Sequence, residues 1–382
     1  MRNRNILLIV ALLIMPCISP AADRKCVKWF DIGVGEEPRS VVVKPTYSFE
    51  MFARSLAVLP QYHPEIQVQG PLRMWGSDYV GAGLAQRWQR DIARSQPGLR
   101  MELNMVNALI AMPSVALDLA DLAPSRAASW AELFMFERVH NYAPLEIPIA
   151  TGAWSSSFSI FVHKDNPISQ LTMEQLDGIF GAQRTGTYKG TQWTTEDARG
   201  SEKNIRKWGQ LGLTGKWKDQ PIRVYGSILN GYLNRHFERL VFKGGVKWNE
   251  DFREYETCMD ADGKRYYRQD QIADEMAKDP YSIGFGYQQF STRPMMKALK
   301  LGAKASGPFV ELTIENLHNQ TYPLAQSYYV YVNRKPGTAV DPRIKEFLRY
   351  VLSREGQTAI AQHGKYLPLT PERAKAALAL IE

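Results

Sequence analysis

Hydrophobic and polar positions along residues 71–126 alternate in a way that predicts successive strands and helices. Apolar positions two apart predict a strand at 71–75, and positions three and four apart predict a helix at 81–94 with one hydrophobic face. Small residues between the two are typical of a turn. The same reasoning predicts a strand at 101–106, a helix at 112–119 and a strand at 121–123 that ends in Pro124, Ser125 and Arg126. This β-α-β-α-β order predicts a parallel sheet with right-handed crossovers.

A second strand, turn and helix are predicted around residues 222–241. Ile222 and Val224 alternate with more polar neighbours, as in a short strand, and small residues follow as a turn. A helix with an apolar stripe then begins at Tyr232, and Asn230 is placed to cap it. The unpaired N–H groups and the dipole of such a helix start favour an anion. The alternative is an ordinary strand-to-helix turn that binds nothing.

Two long extended segments, at 145–163 and 322–332, are predicted on either side of that unit. Further helices are predicted at 171–180, 272–278, 344–353 and 355–362. The chain contains no internal repeat and no low-complexity linker. We therefore expect its domains to be joined by strands that cross between them, and not by a flexible tether.

The first 22 residues have the pattern of a cleaved secretory signal peptide. Arg2 and Arg4 precede an apolar run at 6–15, and small residues lead to predicted cleavage after Ala21 or Ala22. A retained membrane anchor is the alternative, but the run is shorter than the ~20 residues needed to span a bilayer. The sequence therefore predicts export to the periplasm, followed by an N-terminal extension at 23–65.

Composition indicates a folded, exported protein of about two domains. The chain has 382 residues, of which 45% are hydrophobic and 11% aromatic, enough for a large core. Loss of the two signal-peptide arginines lowers Lys+Arg from 47 to 45 against 39 acidic residues, so the net charge falls from +8 to +6. This mild positive charge suits anionic ligands, whereas no basic block is long enough to indicate nucleic-acid binding.

The cysteines and histidines indicate no metal or cofactor site. Cys26 and Cys258 remain after cleavage, and outside the cytoplasm they are expected either to form a disulfide or to stay separate thiols. The six histidines are scattered and have no metal-ligand spacing. We therefore expect no cofactor.

Five segments, in order, resemble the phosphate-type substrate-binding proteins of ABC importers. They are HKDNPISQLTMEQLDGIF (163–180), WGQLGLTG (208–215), DPYSIGFGY (279–287), TYPLAQSYYVYVNR (321–334) and FLRYVLSREGQTAI (347–360), followed by GKYLPL (364–369). The resemblance implies an α/β fold of the type II periplasmic binding protein class, with two lobes, two crossing hinge strands and a ligand cleft. It places the hinge strands at 145–163 and 322–332. The implied lobes are 66–157 with 326–382, and 158–325.

The resemblance also implies a ligand site on three turns that face the cleft. Its members in this chain would be Gly76, Ser77, Asp78, Tyr79, Ser125, Arg126, Gly226, Ser227, Asn230, Gly231 and Tyr232. The third turn departs from the family pattern, because GSILNGY stands where a phosphate binder would have a Gly-Ser-Gly-Thr run. The hydroxyl contact of that run is then missing unless Ser227 or Tyr232 replaces it.

Two of these residues carry specific hypotheses. Arg126 is expected to grip an oxyanion with two parallel hydrogen bonds, the alternative being a surface arginine on the following helix. Asp78 is expected to accept a proton from phosphate and so to reject sulfate, which brings none. The alternative for Asp78 is that it caps the helix at 81–94 and points away from the cleft.

The function implied is capture of a small oxyanion, phosphate or a relative, by a monomer that hands it to an inner-membrane permease. The alternative is an envelope binding or sensing protein of the same fold that recognises another ligand or a protein partner without transport. An enzyme is not expected, because Ser77, Ser125 and the serines at 155–157 have no His or Asp partner that the sequence can assign.

Overall fold

The computed structural model describes residue 26 and residues 28–29, 43–189, 192–229 and 231–382. The predicted signal peptide and Asn230 lie outside the described residues, as does the side chain of Tyr232. Within the described ranges, no helix combines the length and the apolar character needed to cross a membrane.

The described part of the chain contains eighteen strands and thirteen α-helices. The strands are β1 (Lys28–Trp29), β2 (Gly70–Trp75), β3 (Leu99–Asn104), β4 (Ala123–Arg126), β5 (Leu145–Thr151), β6 (Phe158–His163), β7 (Gln170–Thr172), β8 (Thr187–Lys189), β9 (Gln192–Thr194), β10 (Arg223–Ser227), β11 (Arg253–Tyr255), β12 (Cys258–Met259), β13 (Arg265–Tyr266), β14 (Ser282–Tyr287), β15 (Met296–Ala298), β16 (Lys300–Gly302), β17 (Phe309–Val310) and β18 (Ser327–Val332). The helices are α1 (Ala53–Val58), α2 (Asp78–Gly81), α3 (Leu84–Ile92), α4 (Ala111–Ala116), α5 (Trp130–His140), α6 (Met173–Phe180), α7 (Tyr232–Leu240), α8 (Arg268–Met276), α9 (Gln288–Ser291), α10 (Ile314–His318), α11 (Pro342–Leu352), α12 (Arg354–His363) and α13 (Pro371–Leu378).

Strands β2, β3, β4, β5 and β18 form the first strand group. β2 and β3 pair in parallel along their whole length, and a parallel bridge from Met74 to Leu122 attaches the chain that leads into β4. β18 then pairs antiparallel with both β4 and β5. The parallel arrangement predicted for the first three strands is therefore present, and the later strands extend it in antiparallel fashion.

Strands β6, β10, β11, β14 and β15 form the second strand group, one five-stranded sheet in the order β11-β10-β14-β6-β15. β10 is parallel to β11 and β14, whereas β6 is antiparallel to β14 and β15. All six residues of β6 are buried, and four of them are apolar, as expected for a central strand that is covered on both faces. The carboxyl ends of β10 and β14 lie at one edge of this sheet, which is where open α/β sheets bind ligands.

The single helix predicted at 81–94 is broken into α2 and α3. Gly83 separates them with φ at 106°, a left-handed conformation that glycine adopts readily and other residues do not. The predicted hydrophobic face is present in α3, where Leu84, Trp88 and Ile92 are buried. The apolar period therefore located the helix, and the backbone conformation of one glycine decided where it starts.

The two predicted hinge strands are shorter than expected. Residues 145–163 form β5 and β6 with a turn of 3-10 helix at Trp154–Ser156 between them, and the segment at 322–332 is a strand only from Ser327. The two irregular stretches touch, since the Gly152 amide donates to the Gln326 carbonyl at 2.8 Å. They carry the chain between the two strand groups, so the implied boundaries at 157/158 and 325/326 fall beside them.

Helices α5 and α13 were not predicted. Both begin at clear caps, because Ser129 and Glu132 form a reciprocal capping box at α5, and Thr370 caps α13 directly before Pro371. The third strand of the first group lies at Ala123–Arg126 and not at 121–123, so it includes the Pro-Ser-Arg segment that was expected to follow it.

The N-terminal region contacts the first strand group and the small sheet formed with β12 and β13. Cys26 and Cys258 form a disulfide with Cα atoms 5.6 Å apart, which is the bonded alternative of the two considered. β1 pairs antiparallel with β12 beside this bond. Phe52 and Leu56 are buried in the main core, and α1 packs against α12. This part of the extension therefore belongs to the first strand group.

Candidate functional site

A cleft cavity of about 520 Å³ lies where the two strand groups meet. It is lined by Ser77, Asp78, Tyr79, Asn107, Ala108, Leu109, Arg126, Gly152, Ala153, Ser155, Ser156, Tyr287, Gln289, Gln326, Ser327, Tyr328, Lys365 and Tyr366. Four of the predicted site residues are among them. A larger groove of about 820 Å³ lies on the first group near Arg90 and Tyr350, but it contains no predicted site residue and touches no part of the second group.

The turn after β2 is held tightly against β4. The Ser77 amide donates to the Pro124 carbonyl at 3.1 Å, and a Cβ on Gly76 would lie 2.3 Å from that same oxygen. Only glycine therefore fits at position 76. Gly76 does not line the cavity itself but allows the turn to place Ser77 there.

Asp78 is the first residue of α2, and it faces the cavity. Ser77 Oγ lies 3.4 Å from Asp78 Oδ1 and accepts from the Tyr79 amide, which makes Ser77 the N-cap of α2. Gly83 is the N-cap of α3. The alternative in which Asp78 caps the helix and points away from the cleft is therefore wrong.

Arg126 reaches the cavity from the end of β4, but a carboxylate already holds it. Its two terminal nitrogens donate to the two carboxylate oxygens of Glu132 at 3.0 and 3.1 Å. Burial would raise the pKa of Glu132, yet hydrogen bonds and the charge of Arg126 lower it overall. Ser125 is buried behind this point and donates to the Ala108 carbonyl. The parallel hydrogen bonds expected for a ligand are thus made to Glu132.

The turn between β10 and α7 does not join the cavity at the residues that are described. Gly226, Ser227 and Gly231 do not line it, whereas Asn230 and the Tyr232 side chain are outside the described set. Ser227 is buried, and its hydroxyl has no hydrogen-bond partner among the described residues. Gly231 caps α7 without a side-chain hydrogen bond. The structure therefore unites the first turn and Arg126, whereas the described residues of the third turn, Gly226, Ser227 and Gly231, stay outside the cavity.

Helix α7 instead contacts the first strand group. Arg239 donates to the Ala128 carbonyl at 2.8 Å and lies 3.3 Å from the Glu146 carboxylate. On the other side, His236 stacks on Phe158 of β6, in the second strand group, with ring centroids 5.2 Å apart. Burial, together with the charges of Arg239 and Arg126, lowers the pKa of His236 to about 3. His236 is therefore neutral at physiological pH.

Lys365 is a cavity residue that the sequence analysis missed. Its ammonium nitrogen lies 3.9 Å from the Tyr79 ring centroid and 3.4 Å from Ser155 Oγ, to which it donates. Burial lowers the pKa of Lys365, and the charge of Asp78 opposes that shift. It forms no ion pair with any carboxylate that the structure describes. The GKYLPL segment was a signal for it, because this segment carried the resemblance but was given no ligand role.

Tyrosines form much of the remaining wall. Tyr328 and Tyr366 pack with ring centroids 4.2 Å apart beneath the first turn, and burial raises the pKa of Tyr328 to about 12. Tyr287 enters from the end of β14 in the second strand group. The cavity therefore combines polar groups of the first group with an aromatic contact from the second.

Three charged side chains line the described part of the cavity, namely Asp78, Arg126 and Lys365. Since Glu132 compensates Arg126, the cavity is left with one cation and one carboxylate. Such a pair can bind an anion that also carries a proton to donate. Among the residues described, no cluster of three or more His, Cys, Asp or Glu side chains could hold a metal ion.

Comparisons with known proteins identify relatives of this chain. Residues 146–355 match the model of the PBP superfamily domain. The phosphate-binding protein PstS of Pseudomonas aeruginosa, represented by two strains, is 34% identical over 322 residues, which cover 84% of this chain and 90% of the relative.

Solved structures with a similar fold include two from other bacteria. PstS from Borrelia burgdorferi aligns with a TM-score of 0.49 and 13% identity, over 79% of this chain and 99% of that one. An ABC-type phosphate transport receptor from Vibrio cholerae aligns with a TM-score of 0.46 and 19% identity, over 78% and 99%.

Proposed function

The chain belongs to the PBP superfamily and to the family of the PstS phosphate-binding proteins, and we propose that it captures phosphate in the cleft cavity as the receptor of an ABC importer. The observation that carries this proposal is the pairing of Lys365 with Asp78 in one cavity at the junction of two strand groups. The proposed role involves binding without catalysis. It places the mature protein in the periplasm as a monomer that docks on an inner-membrane permease.

Phosphate matches the two charges of the cavity. Its negative oxygens can accept from the Lys365 ammonium, and the proton that it keeps at neutral pH can be donated to the Asp78 carboxylate. Sulfate carries no such proton, so its oxygens would meet an unpaired carboxylate. Burial of Lys365 strengthens its attraction for an anion because little water competes there.

We further propose that the two strand groups are lobes that close on the ligand, with boundaries at 66–157 plus 326–382, and at 158–325. The contact between Gly152 and Gln326 supports a hinge at that point, because both connections run through it. Hinges of this kind need only a few residues in irregular backbone.

Isothermal calorimetry with phosphate and sulfate tests the proposal. We expect the native protein to bind phosphate and Lys365→Met to bind it at least ~10-fold more weakly, because a charge-assisted hydrogen bond is lost. Lys375→Met is the matched control, since Lys375 is an exposed lysine outside the cavity, and it should bind like the native protein. Absence of phosphate binding by the native protein would overturn the proposal.

A second candidate function is supported by the third turn. It lacks the Gly-Ser-Gly-Thr run, and its described residues do not line the cavity, which suits an envelope receptor that senses a ligand without transport. Uptake of labelled phosphate by cells with and without the chain separates the two functions. Equal uptake, combined with phosphate binding in vitro, would favour sensing.

A further inference from the structure

The cleft cavity is much larger than an inorganic oxyanion. Each molecule of liquid water occupies ~30 Å³. If each of the five non-hydrogen atoms of phosphate is given the same volume, the ion needs at most on the order of 150 Å³. The cavity measures about 520 Å³, within the ~300–1,000 Å³ range of pockets that hold larger organic ligands. The cavity has this volume even though the two sides of the cleft already touch. Arg239 donates to the Ala128 carbonyl, and the rings of Trp130 and Tyr188 lie 4.7 Å apart.

The two sides of the cavity offer different chemistry. The charged side chains, Asp78, Arg126 and Lys365, all come from the first strand group and its C-terminal helices. Within the second strand group and its helices, the described lining residues are Tyr287 and Gln289, which provide a ring and an amide but no charge. Among the described lining residues, the second strand group therefore offers no charge to an oxyanion held at Lys365.

An apolar surface lies open beside the charged end. Tyr79 is 40% exposed and Leu109 is 62% exposed, and both line the cavity. Tyr287 lines the same cavity from the second strand group. An apolar group placed between these side chains would lose contact with water on both of its faces, which favours binding.

Resting on the proposed function, we propose that the cleft accepts phosphate monoesters with a small aromatic or apolar substituent. The phosphoryl oxygens would contact Lys365 and Asp78, and the substituent would lie against Tyr287, Tyr79 and Leu109. The substituent would add contacts between the ligand and the second strand group, which favours closure around the ligand. Free phosphate would occupy the charged end and leave the apolar side chains without a ligand contact.

Calorimetry with inorganic phosphate, methyl phosphate and phenyl phosphate tests this inference. The measurements are made at pH 5.5, where a monoester retains one proton because its second pKa is about 6. We expect phenyl phosphate to bind about 10-fold more tightly than inorganic phosphate, with methyl phosphate in between. Tyr287→Ala should remove most of this preference, and Tyr287→Phe, which keeps the ring, should retain it.

Leu109→Ala provides a second variant at an exposed position, where truncation leaves the core intact. We expect it to reduce the preference for phenyl phosphate about threefold. If inorganic phosphate binds and phenyl phosphate binds more weakly or not at all, the inference is overturned while the proposed function stands. If neither ligand binds, the proposed function fails, and this inference fails with it.

Discussion

Arg126 and Lys365 are both cations of the cleft, but they differ in what already neutralises them. Arg126 donates its two parallel hydrogen bonds to Glu132, whereas Lys365 contacts a hydroxyl and the face of an aromatic ring. A ring quadrupole attracts a cation without cancelling its charge. At the residue scale, the net attraction for an anion therefore depends on Lys365 more than on the arginine that the sequence suggested.

Asp78→Asn should relax the discrimination between phosphate and sulfate. The amide can donate to an oxygen that has no proton, so the repulsion that excludes sulfate disappears. Competition calorimetry at neutral pH should show sulfate gaining at least ~10-fold relative to phosphate. Asp219→Asn, at an exposed position outside the cavity, is the control. An unchanged ratio in Asp78→Asn would contradict proton sharing.

Helix α7 matches its sequence prediction and also makes a contact that the sequence did not predict. Its apolar stripe is present, with Leu233 and Phe237 buried, and it begins at the predicted residue. The apolar stripe does not predict which part of the protein the opposite face of the helix contacts. In the structure, Arg239 reaches the first strand group, whereas His236 stacks on Phe158 of β6 in the second group, so α7 joins the two groups.

His236 should make the protein less stable as the pH falls. Its pKa is lowered to about 3 in the folded state, so the unfolded chain binds the proton more readily below its ordinary value of about 6.5. Stability present above pH 6.5 is then lost on acidification, at up to ~1.4 kcal/mol per pH unit.

Urea unfolding of the native protein and His236→Phe between pH 7.5 and 5 measures this effect. The variant keeps a ring against Phe158 and has no proton to bind, so its stability should fall less steeply. His63→Phe, at an exposed histidine, should keep the native slope. Parallel slopes for the native protein and His236→Phe would contradict a buried neutral histidine.

At the scale of the whole molecule, the two strand groups are connected by two irregular stretches and by the contacts of α7. The connections meet at Gly152 and Gln326, whereas Arg239 bridges to Ala128 and Glu146. Two bodies joined in this way can change their relative orientation around a small number of residues. A ligand that contacts both should favour the closed arrangement.

Phosphate should therefore make the native protein more compact and more stable. At a concentration 100-fold above the dissociation constant, linkage predicts ~2.7 kcal/mol of added stability. Small-angle scattering and thermal unfolding with and without phosphate measure the two changes. Lys365→Met at the same phosphate concentration should show neither. A radius and a melting temperature that phosphate leaves unchanged in the native protein would count against closure.

The sequence by itself determined the α/β character, the positions of most of the longer strands and of about half of the helices, and the turn after β2. These depend on local periodicity and on small residues at turns, which act over a few positions. Several element boundaries depend on backbone conformation, which the apolar pattern does not predict. Examples are Gly83, the caps of α5 and the 3-10 turn at Trp154–Ser156.

Only the tertiary structure decided which groups meet in the cleft. Lys365 lies 286 to 288 residues after the turn at Ser77 to Tyr79, and no spacing rule connects them. Arg126 lies on β4, and only the packed structure shows that Glu132 of the following helix α5 pairs with it. Burial, charge compensation and the distance between side chains arise from packing of the whole chain, so the ligand preferences argued from Lys365 and Tyr287 rest on the fold.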